Sequence, residues 1–198
     1  MKIKDIQTKI VNAEMRNWVF VKVITDSDIY GWGEATVEWK TRAVAGAIED
    51  LKPLLVGKDP RNIKQNFQIM TKHGFWKMGV IGMTAISGIE HALWDILGKS
   101  LNTPVWQLLG GKVRDKIKIY THLGLGDMQA VYRDTMETSK LNDHAMSLVN
   151  NGYNSFKVVF IPFTHYTNSI GNLKKVNTLM ASLRETVGDK IDIMVDFH

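Results

Sequence analysis

Two residues near the end of the sequence, Asp196 and His198, have the types and spacing to do chemistry together. On an extended strand, residues two apart share a face, so a carboxylate and an imidazole there would point into the same space. A carboxylate is a hard-oxygen ligand for a divalent cation, and an imidazole moves protons near neutral pH. The same alternation applied to the stretch around Lys157 puts its ammonium on a face with Ser155 and Val159, opposite Phe156, Val158 and Phe160. Around Ile117–His122 it sets Lys118, Tyr120 and His122 against Ile117 and Ile119. Each of these residues also has a plain structural reading. Lys157 could reach water from a strand end. His122 could be a hydrogen-bonded structural histidine, and Asp196 could cap a loop. Their joint placement on three successive strands is what points to a site, since an ammonium, a carboxylate and imidazoles around a cation offset one another's burial costs.

The elements that must position them come from a change of rhythm near Lys116. Beyond it the pattern alternates strand, helix, strand, helix, strand: Ile117–His122, Met128–Asn150, Asn154–Phe160, Ser169–Val187 and Ile191–Phe197. That order predicts a parallel sheet with right-handed crossovers. Ile191, Ile193, Val195 and Phe197 should face the covering helices, and Leu173, Val176, Met180, Leu183 and Val187 should form the helical stripe that meets them. Tyr120, His122, Lys157, Asp196 and His198 then lie on inward faces near the C-terminal strand ends, where barrel enzymes build their sites.

Before Lys116 the sequence reads as an antiparallel meander followed by helices. Lys2–Val11, Trp18–Thr25 and Ile29–Ala35 alternate as half-wet strands. Asp59-Pro60 signals a helix start, with an N-cap acceptor and then proline at the first helical position. Ile86, Ile89, Leu93, Ile96 and Leu97 recur at helical spacing, and Thr103-Pro104 restarts a short helix stopped by Gly110-Gly111. The expected domains are 1–115 and 116–198.

Bulk properties narrow the function classes. The sequence has no cysteine, so disulfides and thiolate metal sites are excluded and a cytoplasmic location is expected. Val80–Leu97, the most apolar stretch, is interrupted by Glu90, His91 and Asp95, so no membrane partner is expected. The net charge of +5 comes from scattered Lys and Arg with no run longer than Lys174-Lys175, which argues against nucleic acid and leaves small anions as partners. Gly31-Trp32-Gly33 and Gly124-Leu125-Gly126 lack the third glycine of a dinucleotide fingerprint and read as turn or strand glycines.

The stretch Ala85-Ile-Ser-Gly-Ile-Glu-His-Ala-Leu-Trp-Asp-Ile-Leu-Gly-Lys99, continued by Pro104-Val-Trp-Gln-Leu-Leu-Gly-Gly111, resembles the signature of the mandelate racemase/muconate lactonizing group of the enolase superfamily. Gly31-Trp-Gly-Glu-Ala35, Phe75-Trp76 and Val195-Asp-Phe-His198 extend the likeness over essentially the whole chain, nearest to galactonate-type sugar-acid dehydratases. The resemblance implies an α+β N-terminal capping domain followed by an incomplete TIM-type (β/α) barrel with three strands present. It also implies Mg²⁺-assisted abstraction of the proton α to a carboxylate, with loss of the β-hydroxyl as water. Asp196 is similar to the first of the family's three carboxylate metal ligands, and His198 to the acid that protonates the departing hydroxyl. Lys157 matches the first lysine of a Lys-x-Lys pair that neutralises the substrate carboxylate. The second lysine is Val159 here, which disfavours the racemase chemistry that uses it as a base and leaves a one-base epimerase or a cycloisomerase as the alternative.

Lys157, His122 and Trp76 are the residues expected to touch the sugar acid, and the segments 13–17, 35–40 and 75–79 to contribute to its selection. A complete barrel takes ~250 residues, more than this whole sequence holds. The expectation is therefore a fragment without turnover, or a non-catalytic truncated protein, with open strand edges and with a homo-oligomer as the state of the complete enzyme.

Overall fold

Val19, Val21 and Val23 recur at every second position, so one face of their strand can be wholly apolar. In the computed structural model, which describes residues 1–14, 16–123, 138–161 and 169–197 and only the backbone at 159–161 and 197, all three are fully buried. The chain divides into two compact units, Met1–Val113 and Arg114–His198.

The first unit opens with an antiparallel sheet of order β1-β2-β3: β1 Ile3–Ala13, β2 Arg16–Thr25 and β3 Tyr30–Glu34. Its apolar face, with Ile3, Ile6 and the three valines, packs on helices α1 Thr41–Leu55 and α3 Gly79–Leu101, against which α2 Ile63–Lys72 lies. The short α4, Val105–Leu108, follows Pro104 and gives way to Gly110 and Gly111, both at positive φ. α3 is long and apolar enough to cross a membrane by length and composition. It is instead the core helix of the unit, with Ile86, Ile89, Leu93 and Ile96 completely buried.

α3 lies directly on β3. A Cβ on Gly31 would sit 2.0 Å from the Ala92 carbonyl oxygen, and one on Gly33 would sit 1.9 Å from that of Gly88. Only hydrogen-sized side chains allow this approach, so the Gly-Trp-Gly element is a helix seat. β3 is an edge strand, and α3 also satisfies its outer backbone groups. The Trp32 N–H donates to Asp95 Oδ2 at 2.9 Å, and Lys99 Nζ donates to the Tyr30 carbonyl at 2.8 Å and to Asp95 at 2.7 Å.

The helix start at Asp59-Pro60 is corrected. α2 begins at Ile63, because the Asp59 carboxylate is engaged by Arg61, through its backbone N–H at 2.9 Å and its guanidinium at 3.0 and 2.7 Å. That pairing holds the Asp59 carboxyl down to about 2, and residues 59–62 form a turn that leads into the helix.

The second unit is a parallel sheet of order β4-β5-β6: β4 Thr121–Leu123, β5 Ser155–Ile161 and β6 Asp192–Phe197. Helices α5, described over Thr138–Asn150, and α6, Ile170–Val187, cover one face. Ser169 caps α6 by accepting the Asn172 N–H at 3.1 Å. Leu123, Phe156 and Val158 are buried against Leu141, Ala145, Leu179 and Leu183, with Ile193 and Val195 beside them. Two expectations fail here. Ile117 and Ile119 are 78% and 65% exposed, because the first strand starts only at Thr121. Leu173 is also exposed, and Leu179 takes the buried place on α6.

Gly31→Ala should lower the stability of the first unit by about 3 kcal/mol, because the new methyl meets backbone that cannot move aside. Gly46→Ala, on the exposed side of α1 with nothing within 4 Å of the added carbon, should raise it by about 0.5–1 kcal/mol. Thermal unfolding of the two variants beside the parent checks both signs.

Candidate active site

The face of the parallel sheet away from α5 and α6 carries the ionisable residues. β5 lies between β4 and β6, and register sets His122 beside Lys157, and Lys157 beside Met194. Lys157 Nζ donates to Asp196 Oδ2 at 2.8 Å, with the two side chains 23% and 34% exposed. The same ammonium stands 5.8 Å from the centre of the Tyr120 ring, within reach of a weak cation–π attraction. The Asp196 hydrogen bond is the main reason the Lys157 ammonium is held above the usual lysine range; burial works against it, and the Asp196 and Tyr120 charges add to it. Lys157 is therefore a cation and a poor base at neutral pH.

The sheet has a second ion pair on this face, between Lys118 and Asp192, at the N-terminal strand ends. It draws the Asp192 carboxyl below its ordinary value. Buried Ser155, next to Asp192 in register, donates its hydroxyl to the Ile119 carbonyl at 2.9 Å and ties the lead-in of β4 to β5.

Of the residues expected to form the site, the structure joins Lys157 and Asp196 directly and sets His122, exposed, alongside Lys157. His198 and Gly124-Leu125-Gly126 lie outside the described residues, as does the Val159 side chain. Trp76 belongs to the first unit, is 84% exposed and meets Phe75 edge-on with ring centres 5.5 Å apart. Two of the expected selection segments are connected there, since Arg16 pairs with Glu38 at 2.6 Å. Sequence reasoning missed an open cleft of about 510 Å³ in this unit, lined by Glu34, Thr36, Met83, Thr84, Ser87 and His91. Its signal was present in the spacing of Thr84, Ser87 and His91 along one helical side of α3.

Residues 1–110 match the mandelate racemase/muconate lactonizing enzyme N-terminal domain. The chain belongs to the mandelate racemase/muconate lactonizing enzyme family. It is 41% identical over 181 residues to D-galactonate dehydratase of Klebsiella pneumoniae (strain 342), covering 91% of this chain and 45% of that protein. The chain thus spans less than half the length of this relative. Among solved structures, a member of the enolase superfamily from Salmonella Typhimurium superposes with a TM-score of 0.87 at 31% identity, over 100% of this chain and 55% of that one. An enolase from Pantoea ananatis with bound D-gluconate and Mg superposes with a TM-score of 0.82 at 27% identity, over 98% and 53% of the two chains.

Superfamily membership raises the question of a divalent metal. Asp196 offers a partly exposed hard oxygen, the donor type that Mg²⁺ would take as a ligand. Among the described residues no group of three or more candidate ligands surrounds it, so the fit extends to that one ligand.

The raised Lys157 value sets a pH dependence. A group whose folded value exceeds its unfolded one stabilises the fold fully below the unfolded value and loses that contribution as pH rises through the folded one. The Lys157–Asp196 pair should therefore contribute undiminished from neutral pH up to the ordinary lysine range. Side-chain NMR of Lys157 should give a midpoint above that of a solvated lysine, and Asp196→Asn should lower it.

Proposed function

We propose that this chain is the N-terminal part of a cytoplasmic, Mg²⁺-dependent acid-sugar dehydratase acting on galactonate- or gluconate-type substrates. In this reading residues 1–115 are the capping domain and residues 116–198 the first three strands of a (β/α) barrel. The observation that carries it is the 2.8 Å contact between Lys157 and Asp196 on the face of the parallel sheet opposite α5 and α6. It sets an ammonium against a carboxylate, the two groups to which the dehydratase reading gives anion binding and metal ligation.

Dehydration removes the hydrogen on the carbon next to the carboxylate and expels the hydroxyl from the following carbon as water. The enol left behind tautomerises to a 2-keto-3-deoxy acid. Bound at Asp196, Mg²⁺ would act as a Lewis acid that lowers the cost of charge building on the substrate carboxylate. Lys157, kept protonated, holds that carboxylate by charge and hydrogen bonding. His122, beside Lys157 in register, supplies a further polar contact to the sugar acid. His198, two residues past Asp196, donates the proton that leaves with the hydroxyl. Trp76 is a further substrate-binding residue in this reading, and the segments around Arg16 and Glu38 help to select the sugar.

With Val159 where a second lysine would give a second base, a one-directional elimination is favoured over racemisation. The general base and the remaining metal carboxylates belong to strands beyond this chain, and the complete enzyme is a homo-oligomer.

Incubating the purified chain with Mg²⁺ and D-galactonate or D-gluconate should release no 2-keto-3-deoxy acid. A longer protein that continues this chain through the remaining strands should release it, and should lose about a hundredfold or more in rate on His198→Asn. Robust turnover by the 198-residue chain alone would defeat the reading.

A further inference from the structure

Register places Met194, and not Asp196, beside Lys157. The lysine side chain therefore leans diagonally, two residues toward the C-terminal end of β6, to make its 2.8 Å contact. A carboxylate oxygen held by an ammonium is a poor ligand for a second cation, because two positive charges would have to share it at contact distance. Resting on the reading of Asp196 as a metal ligand, we infer that the Lys157 ammonium is an internal counter-ion, occupying the Asp196 carboxylate until a divalent cation displaces it and so frees the ammonium for the substrate's carboxylate.

The exchange moves no proton and adds one net positive charge to the site, since a divalent cation and a single carboxylate enter it. Asp196 trades one cationic partner for another, and the released ammonium takes up an anion. The pair is suited to being broken, since both side chains are partly exposed and such pairs hold only weakly against solvent. The Tyr120 ring, 5.8 Å from Nζ, offers the displaced ammonium a second station on the same face. The consequence is an order of binding. A sugar acid arriving before the metal meets a lysine whose charge is already spent on Asp196, whereas one arriving after it meets a free ammonium beside a divalent ion.

Calorimetric titration of MgCl₂ into a longer protein that continues this chain through the remaining strands tests this, with Lys157→Met, Lys157→Gln and Asp196→Asn forms alongside and circular dichroism to verify folding. Removing the competing ammonium should tighten Mg²⁺ binding by up to about fivefold in both Lys157 variants, and Asp196→Asn should abolish it. In the unmodified protein, the side-chain NMR signal of the Lys157 ammonium should move toward its position in Asp196→Asn as MgCl₂ is added. Equal affinity with and without Lys157, or a Lys157 signal that ignores bound Mg²⁺, overturns the counter-ion role while leaving Asp196 as a ligand. Absence of Mg²⁺ binding in the parent and both Lys157 variants overturns the counter-ion role and the metal reading of Asp196 together.

Discussion

The first unit is organised by the distance at which α3 meets β3. Helices normally stand off a sheet by the thickness of two layers of side chains. Here the carbonyl oxygens of Gly88 and Ala92 come so close to the strand that no Cβ fits on Gly31 or Gly33. The approach lets Asp95 and Lys99, one helical turn apart, reach past the strand and satisfy its outer edge. A strand edge left open invites pairing with another chain, so the helix stabilises the sheet and protects it through the same contact. This gives a physical account of the long motif around Ala85–Lys99: its small residues set the approach, its apolar residues fill the core, and its charged pair closes the edge.

In the second unit the controlling constraint is the strict alternation of side chains along three parallel strands. Phe156 and Val158 are committed to the helices, and that commitment turns Ser155 and Lys157 the other way. A register slip of one residue would bury Lys157 among leucines and expose Phe156, a cost of several kcal/mol in desolvation alone. The hydrophobic core thus fixes the direction of the chemical face without any contact from that face itself.

This explains how much could be read from the sequence. Strand faces were legible because period-two alternation is local, and it sets Lys157 and Asp196 on one face, although the diagonal contact between them depends on strand register. The core stripe of α3 was legible for the same reason at period 3.6. Element starts were less so. Asp59-Pro60 carries the composition of a helix cap, but its carboxylate is taken by Arg61. Ile117 and Ile119 alternate like strand residues, but precede the first hydrogen-bonded position at Thr121. Long-range contacts were beyond local pattern altogether. The i, i+4 spacing of Asp95 and Lys99 reads as an ordinary helical pair, and nothing near them in sequence names Tyr30 and Trp32 as their partners. The role of Gly31 and Gly33 depends in the same way on a helix many residues away.

The sheet's open face carries two lysine–aspartate pairs, and the contrast between them argues for where the chemistry lies. Lys118 and Asp192 are each more than half exposed, and Asp192 is flanked in register by Ser155, whose hydroxyl is already given to the Ile119 carbonyl. Arg184 adds a second positive charge near Asp192 and holds its carboxyl down further. At the other end of the strands the ammonium is less exposed and has an aromatic ring on one side and an exposed imidazole beside it in register. A charge pair with a single arrangement neutralises its surroundings. One whose ammonium has an aromatic ring and an imidazole beside it can change partners, and the proposed exchange at Lys157 depends on that.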